Sequence, residues 1–399
     1  MPNRRGFLAG SLGASLGALA LSALPRASRG AETGPIRIGW IPALTGPSSA
    51  PGVGFNRGVV FAVDELNAAG GVNGRPIELI TRDTQGDPTK AVNATVELIS
   101  RQKVIAICGP VNSGEALATT PIMARSRMPS LFHTVVETLI DPVKYPNAFR
   151  LAPSNAQWEA AVRRYCLDIL KAKKVAIVGD TTGYGTIAAK ASVADFQQTG
   201  ADVVYQGLIE STQADVSADV QRMKDAGAEV IVPWSVTTGL LARLMNVRGA
   251  MKWDVPFAGH PSLGSGEVRK LLDKPEYWDK VFLVGYRSCS YTGDFVLPAR
   301  TQAFIAKVKG KVSLSDTSLW WVSGGYDAIQ LIANAVKVTG STGNTQIIDH
   351  FNTLKAYPGF YGDYTFTPEN HNGYPTDEVV MSVANSFREG TYALAPGYG

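Results

Sequence analysis

Apolar positions along this chain follow two alternating rhythms. Short β-type runs are separated by longer stretches in which apolar residues recur three and four apart. Ile36–Ile41 is the first run, closed by the turn-rich Thr45-Gly46-Pro47-Ser48-Ser49. Phe55, Val59, Ala62, Val63 and Leu66 then recur at helical spacing, and Gly70-Gly71 stop that helix. Strands are predicted at Ile77–Ile80 and Val104–Cys108, and helices over Ala91–Ile99 and Gly114–Arg125. A second series repeats the beat: strands at Val175–Val178, Val203–Tyr205 and Val230–Val232, helices over Ile187–Gln198 and Val216–Ala226 and from Gly239. Strands joined by helices of this length predict an α/β fold with parallel sheets and right-handed crossovers. Residues 36–152 carry one series and 154–284 the other, with Phe149–Ser154 expected to cross between them. After Gly285 the pattern loosens, leaving one strong helix over Tyr326–Val338 and short aromatic strand candidates from Tyr357. Two such lobes would face each other across a cleft, with ligand sites just beyond the C-terminal ends of the strands.

The first 30 residues read differently. Asn3-Arg4-Arg5-Gly6-Phe7-Leu8 precedes a weakly apolar run, Ala9–Leu24, then Arg26, Arg29 and the small residues Gly30 and Ala31. A charged start, an apolar middle and a small-residue end describe an export signal cleaved near residue 30. The paired Arg before Phe-Leu resembles a twin-arginine signal; a general secretory signal is the alternative. No Cys near the cleavage region suggests a lipid anchor, and no later run approaches the roughly 20 apolar residues of a membrane span. The expected location is the periplasm. The four Arg of this segment account for the whole formal charge of +4, so the body is electrically balanced. A balanced body gives no electrostatic footprint for nucleic acid. Three Cys in 399 residues are too few for a disulfide scaffold, and no pairing among Cys108, Cys166 and Cys289 can be selected.

Enzyme signatures are missing. There is no phosphate-binding G-x-x-x-x-G-K-S/T, and Gly52, Gly54 and Gly58 have the wrong spacing for a dinucleotide fingerprint. His133, His260, His350 and His371 are scattered without a metal-ligand pattern, so no zinc, haem or other cofactor is expected. Ser100-Arg101-Gln102-Lys103 matches S-x-x-K, but S-D-N and K-T-G are absent.

The loops after the strands carry more. Ala43–Ser49, with Ser48, and Gly109-Pro110-Val111-Asn112-Ser113-Gly114 are small, hydroxylated turns that each open a helix. Such a turn can hold a carboxylate without a counter-charge; plain N-capping is the alternative for either loop. These segments also carry a resemblance. Ile36–Gly46, the stretch Gly58–Gly74 ending Asn-Ala-Ala-Gly-Gly-Val-Asn-Gly, and Asp83–Pro88 are similar to the leucine/isoleucine/valine-binding family. So are Gly109–Ser113, Phe149-Arg150, Asp180–Gly185 and Gly325–Ala328. The resemblance covers nearly the whole chain beyond the export segment. It implies a type I periplasmic binding protein: two Rossmann-like lobes joined by three crossings, closing on a small ligand by a hinge. The lobes would comprise 36–152 with 287–356, and 153–286 with 357–395. The implied activity is capture of an amino acid or related small carboxylate, by a monomer, for an inner-membrane ABC permease. A ligand sensor serving a signalling receptor is the alternative, and neither reading involves catalysis.

The same resemblance implies the contacts. Ser113 matches the position that holds the ligand carboxylate, with Asn112 beside it. Phe132-His133-Thr134-Val135-Val136 matches the next binding loop, with Thr134 at a carbonyl position and Val136 where a Thr is usual. Tyr184 matches the aromatic that covers the ligand, and Trp234 falls at or beside a second. Where amino-acid binders place an acid for the ammonium, this chain has Gly259-His260-Pro261-Ser262. Two readings stay open. Either Glu137 or Asp180 supplies the charge, or the ligand lacks an amine and is an aromatic or aliphatic carboxylic acid, with His133 or His260 donating to it. Trp320 and Trp321 are expected in the core, with Trp321 toward the cleft as the alternative.

Overall fold

A computed structural model describes residues 34–398. The expected export segment and its cleavage site lie outside them. Fifteen strands run through the described residues: β1 (Ile36–Trp40), β2 (Ile77–Thr81), β3 (Ala106–Cys108), β4 (Ser130–Phe132), β5 (Ala148–Arg150), β6 (Lys174–Asp180), β7 (Asp202–Ile209), β8 (Val230–Trp234), β9 (Phe257–Gly259), β10 (Val281–Tyr286), β11 (Ser290–Tyr291), β12 (Tyr357–Pro358), β13 (Asp363–Tyr364), β14 (Val379–Val383) and β15 (Tyr392–Ala393). The first five form one sheet in the order β2-β1-β3-β4-β5, parallel throughout. A second sheet has the order β14-β10-β9-β8-β6-β7 and is parallel except for β14.

Buried faces explain the strand sequences. β3, β4, β8 and β9 are buried along their whole length, because helices cover both sheet faces. The helix Ser49–Ala68 packs along the helix Leu319–Thr339 at very short range. A Cβ at Gly58 would lie 1.8 Å from the Val322 carbonyl oxygen, and one at Gly325 2.2 Å from that of Phe55. Glycine at both positions therefore lets the backbones touch. The helix was expected to begin at Tyr326; it begins at Leu319, with Gly324 and Gly325 inside it.

Three segments cross between the sheets. The first leaves β5 through Ala152–Ser154 into the helix Asn155–Arg164, whose start carries a reciprocal Ser154–Gln157 capping box. The second follows β10. The third precedes β14. Residues 357–372, expected with the second lobe, make most of their contacts with the first. The Asp327 carboxylate accepts from the Phe360 and Tyr361 N–H groups at 2.9 and 2.8 Å and from the Tyr364 hydroxyl at 3.0 Å. His371 stacks on Phe149 at 4.3 Å. The switch falls later because the aromatic hairpin β12–β13 fills the space beside the long helix.

Arg150 ties two crossings together. Its buried guanidinium donates to the Val135 and Val136 carbonyls at 3.1 and 3.2 Å and to Asn372 at 3.1 Å, and pairs with Glu137 at 3.3 Å. All three cysteines are buried and free. Among the described residues no helix is long and apolar enough to cross a membrane, and no group of His, Cys, Asp or Glu could hold a metal ion.

Candidate functional site

The C-terminal ends of the two sheets point at each other, and the loops leaving them enclose one cavity. Asn112 and Ser113 follow β3, and His133, Thr134 and Val135 follow β4. From the other lobe, Tyr184 follows β6, Val236 follows β8 and His260 follows β9; all eight line the space. Pro51 and Phe55 of the helix Ser49–Ala68, with Val111, Trp158, Trp320 and Trp321, complete it around a free volume of about 40 Å³. That is far below the roughly 300–1,000 Å³ of small-molecule sites, so the lobes must part to admit a ligand.

The lobes meet at the rim. The helices Ser113–Arg125 and Gly183–Gln198 come together N-terminus to N-terminus, so closely that a Cβ at Gly183 would lie 2.7 Å from the Gly114 Cα. Ser113, Thr134, Tyr184 and His260 are all buried as a result. This is a closed cleft.

Its chemistry is that of a donor cage. Burial drives His133 and His260 down to about 3, so both rings are neutral at ordinary pH. His260 Nδ1 accepts from the Ser262 N–H at 3.1 Å, which places the ring proton on Nε2 and makes that nitrogen a donor. The indole N–H groups of Trp158, Trp320 and Trp321 can only donate. These three, with Thr134 Oγ1, Tyr184 Oη and His133 Nε2, are buried and have no hydrogen-bond partner. Each such group costs on the order of 1–3 kcal/mol until something bonds to it.

Among the described residues no acid lines the cavity. Asp180 is committed to its own lobe: it accepts from the Thr182 N–H and hydroxyl, from the Ser235 and Thr237 hydroxyls at 2.6 and 3.2 Å, and from the Val236 N–H. Glu137 is half-exposed, paired with Arg150 and accepting from the Ala156 N–H at 3.2 Å. Glu159 accepts from Asn155 at 2.5 Å, and burial raises it to about 7.

Of the ten residues singled out in the sequence, the cavity brings together Asn112, Ser113, His133, Thr134, Tyr184 and His260. The other four lie elsewhere. Phe132 and Val136 pack with Ala116, Leu139, Tyr145 and Ala148, because they point into the sheet–helix layer of the first lobe. Trp234, the last residue of β8, is fully buried in the core. Ser48 faces Gly86 in the neighbouring loop, 2.4 Å from where a Cβ there would stand. Trp320 and Trp321, expected in the core, both reach the cavity. Trp158 and Phe55 had no distinguishing signal, since an aromatic on an amphipathic helix reads as core.

With this geometry in view, comparison with known proteins places the chain. The sequence pattern of the periplasmic binding protein family matches residues 35–385. The Leu/Ile/Val-binding protein homolog 3 of Brucella melitensis is 29% identical over 216 residues, 54% of this chain and 58% of that protein. This chain therefore matches less than two thirds of that relative's length. The branched-chain amino acid transporter substrate binding protein LivJ of Streptococcus pneumoniae, solved with isoleucine, superposes with a TM-score of 0.76 and 22% identity, covering 90% of this chain and 99% of that one. An ABC-transporter solute binding protein of Rhodopseudomonas palustris, solved with 4-hydroxybenzoate, gives a TM-score of 0.73 and 22% identity, covering 90% and 95%. At these identities the two structures speak to fold alone: both sheets and their crossings are those of type I periplasmic binding proteins.

Proposed function

This chain belongs to the periplasmic binding protein family, and we propose that it captures a small carboxylic acid lacking an amine and delivers it to an inner-membrane ABC permease. The observation that carries the ligand class is the donor cage without an acid. An α-ammonium enclosed there would meet the Nε2–H of His260 and indole N–H groups, with no carboxylate to pair it, and an unpaired buried charge is expensive. A carboxylate has lone pairs for several of these donors. Ser113, Thr134 and the free N–H groups opening the helix Ser113–Arg125 would hold it, with Asn112 capping that helix by accepting from the Gly114 N–H at 2.9 Å. Tyr184 and Trp158 would cover the apolar body of the ligand from the second lobe, and His133 and His260 would donate to its polar atoms.

Capture proceeds by hinge closure. The first lobe is residues 36–152 with 287–372, the second 153–286 with the segment from 379 onward. Each lobe carries part of the site, so a ligand that touches both stabilises the closed form by its differential affinity. The protein would act as an exported monomer in the periplasm, its signal removed near residue 30, with no turnover of the ligand.

The test is a thermal-shift screen of residues 31–399 with aromatic acids, aliphatic carboxylates and amino acids. A ligand that binds only the folded form raises the melting temperature through RT ln(1 + [L]/Kd). Shifts with acids that lack an amine support the reading; shifts confined to leucine, isoleucine and valine refute it.

A further inference from the structure

Directly behind the binding turn lies an acid that the capture reading leaves unused. Glu115 is the third residue of the helix Ser113–Arg125, which opens on the cavity through Asn112 and Ser113. Two residues along a helix are a rotation of about 200°, so Ser113 faces the cleft while Glu115 faces the body of the first lobe. Glu115 is fully buried there. Neither of its carboxyl oxygens has a hydrogen-bond partner among the described residues, cation or neutral. The Thr84 hydroxyl is close by, but it donates to the Pro42 carbonyl at 3.1 Å. Toward Glu115 it therefore offers a lone pair, which only a protonated carboxyl can use.

The charges around it do not favour an anion. Asp83 and Asp87, in the loop after β2, act on it as like charges. The helix Pro88–Glu97, packed alongside, carries Lys90, exposed and held by Gln85, and Glu97, paired with Arg82. Glu137, in the turn Glu137–Ile140, is paired with Arg150. On the helix Gly183–Gln198, Lys190 is exposed and Asp195 is paired with Arg163. Burial, reinforced by the two aspartates, raises Glu115 to about 7. A carboxylate held by Ser113 and the free N–H groups of this helix would be a second anion at the same helix N-terminus. Across the helix the two would lie on the order of 8–10 Å apart. At an effective dielectric of about 20, a like charge at that distance costs roughly 15- to 35-fold in binding.

We propose that Glu115 makes capture proton-coupled: a carboxylate enters the cleft together with a proton from solvent that settles on the Glu115 carboxyl, so the protein takes up the elements of the neutral acid. This rests on the binding reading above and adds what sets its charge. Glu115 is a positioning residue, since it does not line the cavity and acts on the ligand through the helix N-terminus. The bound anion raises the Glu115 pKa further. Affinity is therefore full where Glu115 is already protonated in the free protein, and it falls as pH rises through about 7.

Titration calorimetry of residues 31–399 with 3-phenylpropanoate and 4-methylpentanoate from pH 6 to 8.5 tests it, since both probes are ionised throughout. Kd should rise by about 5- to 20-fold over that range. Titrations at pH 8 in Tris and in HEPES, which differ in ionisation enthalpy, should show roughly half a proton or more taken up per ligand bound. Glu115→Gln should keep the affinity seen at pH 6 across the whole range and take up no proton, and its melting temperature shows that it is folded. A Kd that stays flat in the wild-type protein, or a rise and a proton uptake that survive in Glu115→Gln, overturns the coupling and leaves the capture of carboxylic acids standing. Equal weakening at every pH in Glu115→Gln would mark Glu115 as structural and also overturns it. If neither probe binds at pH 6, the binding reading itself falls, and the coupling with it.

Discussion

Alanine at Gly183 should hold the cleft open without weakening the fold. The added Cβ would lie 2.7 Å from the Gly114 Cα and 3.2 Å from its nitrogen, across the lobe boundary. Ordinary contact begins near 3.4 Å, so the lobes must part by about 0.7 Å at that point. A hydrogen bond of about 2.9 Å reaching a ligand from the far lobe then stretches past 3.5 Å and is lost. One or two such bonds are worth about 1–3 kcal/mol, or roughly a 5- to 150-fold rise in Kd. The open form pays no such penalty. Gly183 is the first residue of its helix, where alanine is tolerated and restricts the unfolded chain, stabilising by about 0.4–1 kcal/mol. Titration calorimetry with the tightest acid from the screen gives Kd, and a thermal melt without ligand gives stability. The expected signature is weaker binding together with an unchanged or higher melting temperature. Unchanged affinity would refute the reasoning, because it would mean that the Gly114–Gly183 contact plays no part in the bound state.

Ser113→Ala should raise Kd for carboxylates by about 10- to 100-fold with little effect on the melting temperature; a fall in stability equal to the loss in binding would contradict a ligand role. Stability should peak near pH 5–6. His133 and His260 have folded-state values near 3, below their unfolded value near 6.5, so their contribution is complete above pH 6.5 and is lost as pH falls. Glu115, Glu159 and Asp327 are pushed up to about 7, so their contribution is complete below pH 4 and is lost as pH rises through 7. Melting temperatures recorded from pH 4 to 9 check this, and a steady rise to pH 8 would contradict it. Glu115→Gln should raise the melting temperature at pH 8 by a few degrees and leave it nearly unchanged at pH 5. Arg150→Met should destabilise by about 3–5 kcal/mol in denaturant unfolding, since it strands two buried carbonyls and breaks a partly buried pair.

Much of this architecture was legible because parallel α/β lobes write themselves as alternating periods. The loop that opens the helix Ser113–Arg125 was visible as a small-residue turn at a strand end, while Asp180–Gly185 and the acid-free Gly259–Ser262 stood out only through the family resemblance. What sequence could not show was direction. Trp234 and Trp321 are both large aromatics, yet the first ends a strand facing the core while the second, in the first turn of a helix, reaches the cleft. The helix was predicted only from Tyr326, but it runs from Leu319, with Gly324 and Gly325 inside it at the close crossing with the helix Ser49–Ala68. The alternation of Phe132, His133 and Thr134 also hid a division: the strand ends at Phe132, so its ring turns inward and the next two residues turn to the cavity.

The most direct test removes only the ammonium. Titration calorimetry of residues 31–399 would compare 3-phenylpropanoate with L-phenylalanine and 4-methylpentanoate with L-leucine, each pair alike except for the α-amine. A cavity lined by donors and no acid should bind the amine-free member of a pair and leave its amino acid at least tenfold weaker. Tighter binding of phenylalanine or leucine than of its deaminated partner would contradict the account.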